Sequence, residues 1–379
     1  MKEAGAEGSR RFYPELESLR GLAALSVAGF HVSQALVPTG ADPVKLRDMP
    51  SGAMDVLNFF FLGAPPVIFF FVLSGFVLTA SLRNAGRPVS EVTAPFVIAR
   101  LFRIYPAWIF TILVFASVYW LSGRTLGIVP GTAEIIRNLA LLSVTMDGVG
   151  WSIQTELLAV PVLLLAFHWL CAGKMRAIVV IAALLAVFIN LLKPILYLPG
   201  GPSRVIYLYC FLFGAVTCVL LPRADPRRAN LIFACGVAAF FLGAYLFANH
   251  SNVKDAWCTI ASCIVITGAA LGLTGWLAIF RDSTLLRFMG RISYSFYLLH
   301  PLTLTIFWQM PQVLETVLRA GYPPWFVVLA MFLISAVITL PLAALSYRFV
   351  ERPFVRIGSR LTSSMRPRAD VSAVPAGMS

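Results

Sequence analysis

Four stretches of this chain, 56–82, 104–123, 229–253 and 320–347, run for 27, 20, 25 and 28 residues without a charged side chain. Inside a bilayer every backbone polar group must be satisfied within the segment or by a closed barrel, and about 20 apolar residues span the hydrocarbon as a helix. Runs of this length are too long for transmembrane strands. Across all 379 residues 59% are hydrophobic and 12% charged, whereas soluble domains hold about a quarter charged residues. The expected fold class is an all-α polytopic membrane protein.

About ten transmembrane helices are expected, near 16–37, 64–82, 104–122, 151–171, 175–193, 204–222, 229–248, 256–280, 291–310 and 325–347. A weaker amphipathic segment near 133–146 is expected to lie at the interface or re-enter. Of the 30 Lys and Arg residues, 22 fall on the side of the N-terminus when ten spans are threaded. By the positive-inside rule both termini are then cytoplasmic. The expected organisation is a cytoplasmic N-terminal segment 1–15, a transmembrane domain 16–350 and a basic, disordered cytoplasmic tail 351–379. Ser9-Arg10-Arg11-Phe12 is similar to a twin-arginine export signal. The following segment is long enough to span, carries Glu17, Arg20 and His31, and has no convincing cleavage site, so the first helix is expected to be retained.

The net charge of +13 does not point to nucleic acid, because the basic residues are scattered between apolar spans and form no compact basic domain. Cys171, Cys210, Cys218, Cys235, Cys258 and Cys263 lie in apolar segments without metal-ligand spacing. They read as small packing residues, and no metal site is expected.

Ionisable residues inside spans are costly and mark function more often than those in loops. Arg20 and His31 are eleven residues apart, three helical turns, so they share one face about 16 Å apart in height. Counting depth from each span's start puts His31 and Glu156 both about 22 Å above the inner face. A carboxylate level with an imidazole can orient it as a general base; a structural hydrogen bond between helices is the alternative. His300 falls near the midplane. Arg100 and Arg103, at i and i+3 beside Tyr105-Pro106, suit phosphate or serve as positive-inside anchors. Ser293, Tyr297 and His300 form a polar stripe, and Pro301 leaves the Tyr297 carbonyl without its helical donor. That stripe lines a cavity or forms an interhelical seam. Ser74-Gly75 reads as a close helix contact, His168 as an interfacial residue and His250 as a solvated one.

Together these segments resemble the membrane acyltransferase-3 family, which includes bacterial O-antigen and exopolysaccharide O-acetylases. The resemblance rests on Leu19-Arg20-Gly21 with His31, the run Phe69–Phe76, Arg100 and Arg103 with Ile104-Tyr105-Pro106, and Trp151-Ser152 with Glu156. It continues through Ser293-Tyr294 with Tyr297-Leu298-Leu299-His300 and ends at Glu351-Arg352-Pro353, in family order across nearly the whole chain. Family members often carry aromatic residues three and four positions after the glutamate, where this chain has Ala159 and Val160.

The resemblance implies transfer of an acyl group, most simply acetyl, from cytoplasmic acyl-CoA to a hydroxyl, usually of a carbohydrate, at or beyond the outer face. His31 matches the family's essential histidine, Arg20 its first-helix arginine, and Arg100 and Arg103 its donor-associated pair. The expected catalytic residues are His31 and Glu156, the donor-binding residues Arg20, Arg100 and Arg103, and the lining or supporting residues Ser74, Trp151, Tyr297 and His300. Acyl-CoA is expected as co-substrate with no tightly bound cofactor. Expected partners are a free or lipid-linked carbohydrate acceptor, membrane lipids and polysaccharide-assembly proteins, and the expected location is the bacterial inner membrane. The alternative is a proton-coupled transporter or flippase with His31, Glu156 and His300 as its relay, although no internal repeat of the kind common in such transporters is visible.

Overall fold

The computed structural model describes residues 12–39, 42–86, 88–122, 131–196, 204–308 and 310–365. The first half holds helices α1 (Pro14–Ser33), α2 (Gly52–Phe60), α3 (Ala64–Asn84), α4 (Val89–Ser122), α5 (Thr132–Leu139), α6 (Gly150–Cys171) and α7 (Met175–Leu196). The second half holds α8 (Leu208–Leu220), α9 (Ala229–Leu246), α10 (Ser251–Leu271), α11 (Ile279–Asp282), α12 (Thr284–Trp308), α13 (Pro311–Arg319), α14 (Pro324–Ser346) and α15 (Arg352–Ser364). A short antiparallel hairpin, β1 (Leu36–Thr39) and β2 (Asp42–Lys45), is the sheet among the described residues. Seven helical stretches are long and apolar enough to cross a membrane, and α8 is a shorter apolar helix. Each of the ten expected spans coincides with a helix, so the chain is an all-α membrane protein.

Two helix contacts position the site. The parallel helices α1 and α12 meet at Gly21 and Gly290. A Cβ on Gly21 would sit 2.8 Å from the Gly290 backbone nitrogen, and one on Gly290 would overlap the Glu17 carbonyl. The absent side chains let the two backbones touch. Each histidine of interest lies ten residues beyond its glycine, so His31 and His300 emerge level and adjacent. The second contact joins α3 and α8, where Gly75 faces the Phe211 backbone and Gly214 the Val72 backbone, as the expected close approach at Ser74-Gly75 requires. The main hydrophobic core fills the space between α3, α4, α6, α8 and α10, with Trp108, Phe76, Phe211 and Tyr209 fully buried. A second core joins the β1–β2 hairpin and α2 to α13 and α14.

Several expected boundaries are corrected. The third span, expected from residue 104, is a helix from Val89, because residues 89–103 have α15 to pack against. The eighth ends at Leu271 rather than near 280, where Gly272 turns the chain at φ +97°. The ninth begins at Thr284 rather than 291. Residues 352–364 of the expected disordered tail form α15, continuous with α14 through a π-helical turn over Tyr347–Glu351. Its amphipathic sequence finds a partner in α4, which local composition could not reveal. The Ser9-Arg10-Arg11 signal, most of segment 1–15 and the tail beyond residue 365 lie outside the described residues.

Candidate active site

The segment between α5 and α6 sets the depth of everything beneath it. Asn138 is fully buried. Its amide donates to the Glu134 carboxylate at 2.9 Å and to Thr145 Oγ1 at 3.1 Å, while its Oδ1 accepts from Met146 N–H at 3.1 Å. Its carbonyl accepts from the fully buried Trp108 indole at 2.7 Å. Glu134 also accepts from Ser143 at 2.6 Å and from Thr145, and these hydrogen bonds, Ser143 first, hold its carboxyl below its ordinary range. The loop therefore packs against α4 at Trp108, fourteen residues before the end of that helix, and α6 starts there, where Gly150 packs on the indole. Arg100 lies eight residues below Trp108 on α4 and Glu156 six residues below Gly150 on antiparallel α6, about 12 Å and 9 Å down. They arrive at the same level.

Accordingly Arg100 Nη1 is 3.1 Å from Glu156 Oε1, and Ser74 Oγ donates to the same oxygen at 3.3 Å. The expected His31–Glu156 pair is not formed. Depth was counted from an ideal outer boundary for the fourth span, but the dipping loop lowers that helix and Glu156 with it. Arg103 reaches the buried Glu351 at 3.3 Å and lies 5.9 Å from the Tyr294 ring centroid. Glu351 accepts a hydrogen bond from Ser295 at 3.0 Å, so the Glu351-Arg352-Pro353 motif ties α4, α12 and the π turn together. Neither arginine is a bare cation at a membrane mouth. Arg20 makes no ion pair or hydrogen bond among the described residues.

All three arginines line one cavity of about 570 Å³, together with Ser74, Glu156 and Tyr297. Three guanidinium groups face it, against the one carboxylate of Glu156, so the cavity suits an anion. Its volume lies within the range of small-molecule sites, about 300–1,000 Å³. Its lining includes a polar knot in which Ser152 Oγ is 3.0 Å from Tyr297 Oη and 2.9 Å from the Val149 carbonyl. Trp151, His31 and His300 do not line it. Trp151 supports the wall from behind, its ring 5.9 Å from Phe71 and 5.6 Å from Tyr207. Ala159 and Val160 are buried in the main core. His168 and His250 are exposed.

Beyond Tyr297 lies the histidine pair. Because Pro301 has no N–H, the Tyr297 carbonyl lacks a helical partner, and His300 Nδ1 takes that place at 2.7 Å. A carbonyl only accepts, so Nδ1 of His300 carries the proton and its Nε2 offers a lone pair in the neutral ring. His31 Nδ1 is 2.9 Å from that Nε2, with the two rings within 8° of parallel. His31 must donate, which leaves its own Nε2 with a free lone pair. His300 is fully buried, its ring 6.1 Å from that of Phe296, while His31 is half-buried. The expected relay His31–Glu156–His300 is thus two separate pairings.

Asp147 is not singled out in the sequence, because no local pattern encodes its burial. It is buried, its Oδ1 accepts from Val149 N–H at 3.4 Å, and its Oδ2 has no partner among the described residues. Burial pushes its carboxyl well above the ordinary range. A cavity lined by three arginines thus lies close to a pair of hydrogen-bonded histidines, between apolar helices.

The chain belongs to the acyltransferase family whose domain matches residues 13–346. It is 26% identical over 411 aligned residues to a Bacillus subtilis (strain 168) protein named "putative peptidoglycan O-acetyltransferase", covering 92% of this chain and 56% of that protein. A Staphylococcus aureus (strain COL) protein named "putative O-acetyltransferase" is 23% identical, with 92% and 58% covered. The chain therefore spans a little over half the length of these curated relatives. No solved structure matches it significantly.

Proposed function

We propose that this chain is a membrane O-acyltransferase that moves an acyl group, most simply acetyl, from acyl-CoA to a hydroxyl of a cell-envelope carbohydrate. The bacterial inner membrane is its location, with both termini cytoplasmic. The observation that carries the proposal is the arrangement of three arginines around one cavity, with Tyr297 of its lining hydrogen-bonded through its carbonyl to His300, the partner of His31. Phosphates of the donor dock against Arg20, which makes no ion pair or hydrogen bond among the described residues, with Arg100 and Arg103 adding positive charge. Glu156 holds Arg100 in place rather than orienting the base.

The acceptor hydroxyl attacks the thioester carbonyl while His31 Nε2 takes its proton. The C–S bond breaks, and the departing CoA thiolate receives that proton from the imidazolium. His300 is the positioning residue for His31, since its lone pair strengthens the contact as His31 becomes positive. The Ser152–Tyr297 knot is the part of the lining linked to the histidine pair, through the Tyr297 carbonyl, so the pantetheine arm is taken to pass it to deliver the thioester. The name of the Bacillus relative makes peptidoglycan the first acceptor to test.

The test is transfer of labelled acetyl from acetyl-CoA to envelope glycan by membranes containing the protein. His31→Ala should remain inserted and lose 10²- to 10⁴-fold in rate, the usual contribution of a general base. Normal transfer by His31→Ala would overturn the catalytic assignment. Label retained on the protein without acceptor would replace direct attack with an acyl-histidine route.

A further inference from the structure

We propose that the outward face of α15 is a docking surface for anionic phospholipid headgroups, seated there beside the face that lines the cavity. This rests on the orientation proposed above, which sets α15 on the cytoplasmic leaflet. Arg348, Arg352, Arg356 and Arg360 follow one another at four-residue steps, and all four are exposed. At about 40° per step they make a band some 120° wide. Among the described residues no carboxylate lies within ion-pair distance of any of them, and α15 itself contains no acidic residue.

A second band is apolar. Phe354, Ile357, Leu361 and Met365 follow at helical spacing and are 40%, 43%, 43% and 49% exposed. A third face carries the buried Gly358 and Thr362, and Val355, Ser359 and Thr362 line the cavity. One helix thus presents a protein face, a cationic face and an apolar face.

The helical run from Pro324 to Ser364 is 41 residues long, about 61 Å. That is twice the hydrocarbon thickness of about 30 Å, so its last turns lie outside the core. A helix with adjoining apolar and cationic bands rests in the interface, the apolar band among acyl chains and the cations at phosphates. The arginines do not line the cavity, which favours lipid over the donor's own phosphates as their ligand. Because the adjoining face of α15 walls the cavity, its seating on the leaflet also fixes the shape of the cavity there.

Hydrogen exchange of the 352–364 backbone in reconstituted vesicles tests this without any reference to catalysis, so it fails or succeeds independently of the acyltransferase reading. Each arginine near an anionic surface is worth about fivefold in affinity, roughly a hundredfold for three. Exchange should be at least about tenfold slower with phosphatidylglycerol at about 30% of the lipid than in pure phosphatidylcholine. The difference should vanish in Arg352→Gln/Arg356→Gln/Arg360→Gln and at high salt, and persist in the corresponding triple Lys variant. The Lys and salt arms keep the test intact if the Gln variant inserts poorly. Exchange independent of lipid charge would overturn the proposal. So would protection by free CoA in pure phosphatidylcholine that the Gln variant loses, since that result assigns the row to the donor nucleotide.

Discussion

Replacing His300 separates the geometry of the histidine pair from the general importance of a buried residue. His300 accepts from His31 Nδ1 at 2.9 Å and donates to the Tyr297 carbonyl at 2.7 Å. In the resting state the first contact joins two neutral rings and is worth about 1 kcal/mol net; with His31 protonated it becomes a charge-assisted bond worth about 1.5–3 kcal/mol. Only the difference, about 0.5–2 kcal/mol, accelerates the reaction, which corresponds to roughly 2- to 30-fold in rate. His300→Phe keeps a flat ring against Phe296 but cannot accept, and should lose that factor in kcat with little change in the KM for acetyl-CoA. His300→Gln, whose side-chain oxygen can accept, should lose less. In the His31→Ala background His300→Phe should cost nothing further, since residues acting as a unit are non-additive. The assay is single-turnover transfer of labelled acetyl in nanodiscs, with insertion checked by thermal melting. Full activity of His300→Phe beside an inactive His31→Ala would refute the pairing argument. An equal, independent loss in the His31→Ala background would reduce His300 to a packing residue.

Two further outcomes follow from the same framework. Gly290→Val places a side chain against the Glu17 carbonyl and should destabilise by about 1–3 kcal/mol, lowering both the melting temperature and transfer. Gly52→Ala, where open space surrounds the position, should change neither. Asp147 binds its proton more tightly folded than unfolded, so its contribution to stability is present at low pH and is lost as pH rises through the folded value. Asp147→Asn should therefore melt at or above the wild type, with an advantage that grows with pH; an advantage that shrinks toward alkaline pH would refute this.

Much of the site could be read from the linear chain. The face shared by Arg20 and His31, the Ser293–Tyr297–His300 stripe and the carbonyl freed by Pro301 are all local consequences of helical geometry, and each has a visible place in the structure. Which groups meet across helices was less legible. The His31–Glu156 pairing was misjudged because depth was measured from an ideal span, whereas Asn138 and Trp108 draw the α5–α6 loop inward by contacts that no local pattern encodes. Asp147 was missed for the same reason, and α15 because a short amphipathic helix needs its partner α4 to be worth forming.

The sequence by itself determined that the chain is a bundle of apolar helices, because lipid leaves the backbone no other way to satisfy its hydrogen bonds. It also determined which side chains share a face within one helix. Tertiary structure alone decided that Arg100 takes Glu156 and His31 takes His300. Those pairings depend on the relative heights of helices, which are set by glycine contacts and one buried asparagine rather than by the length of any span.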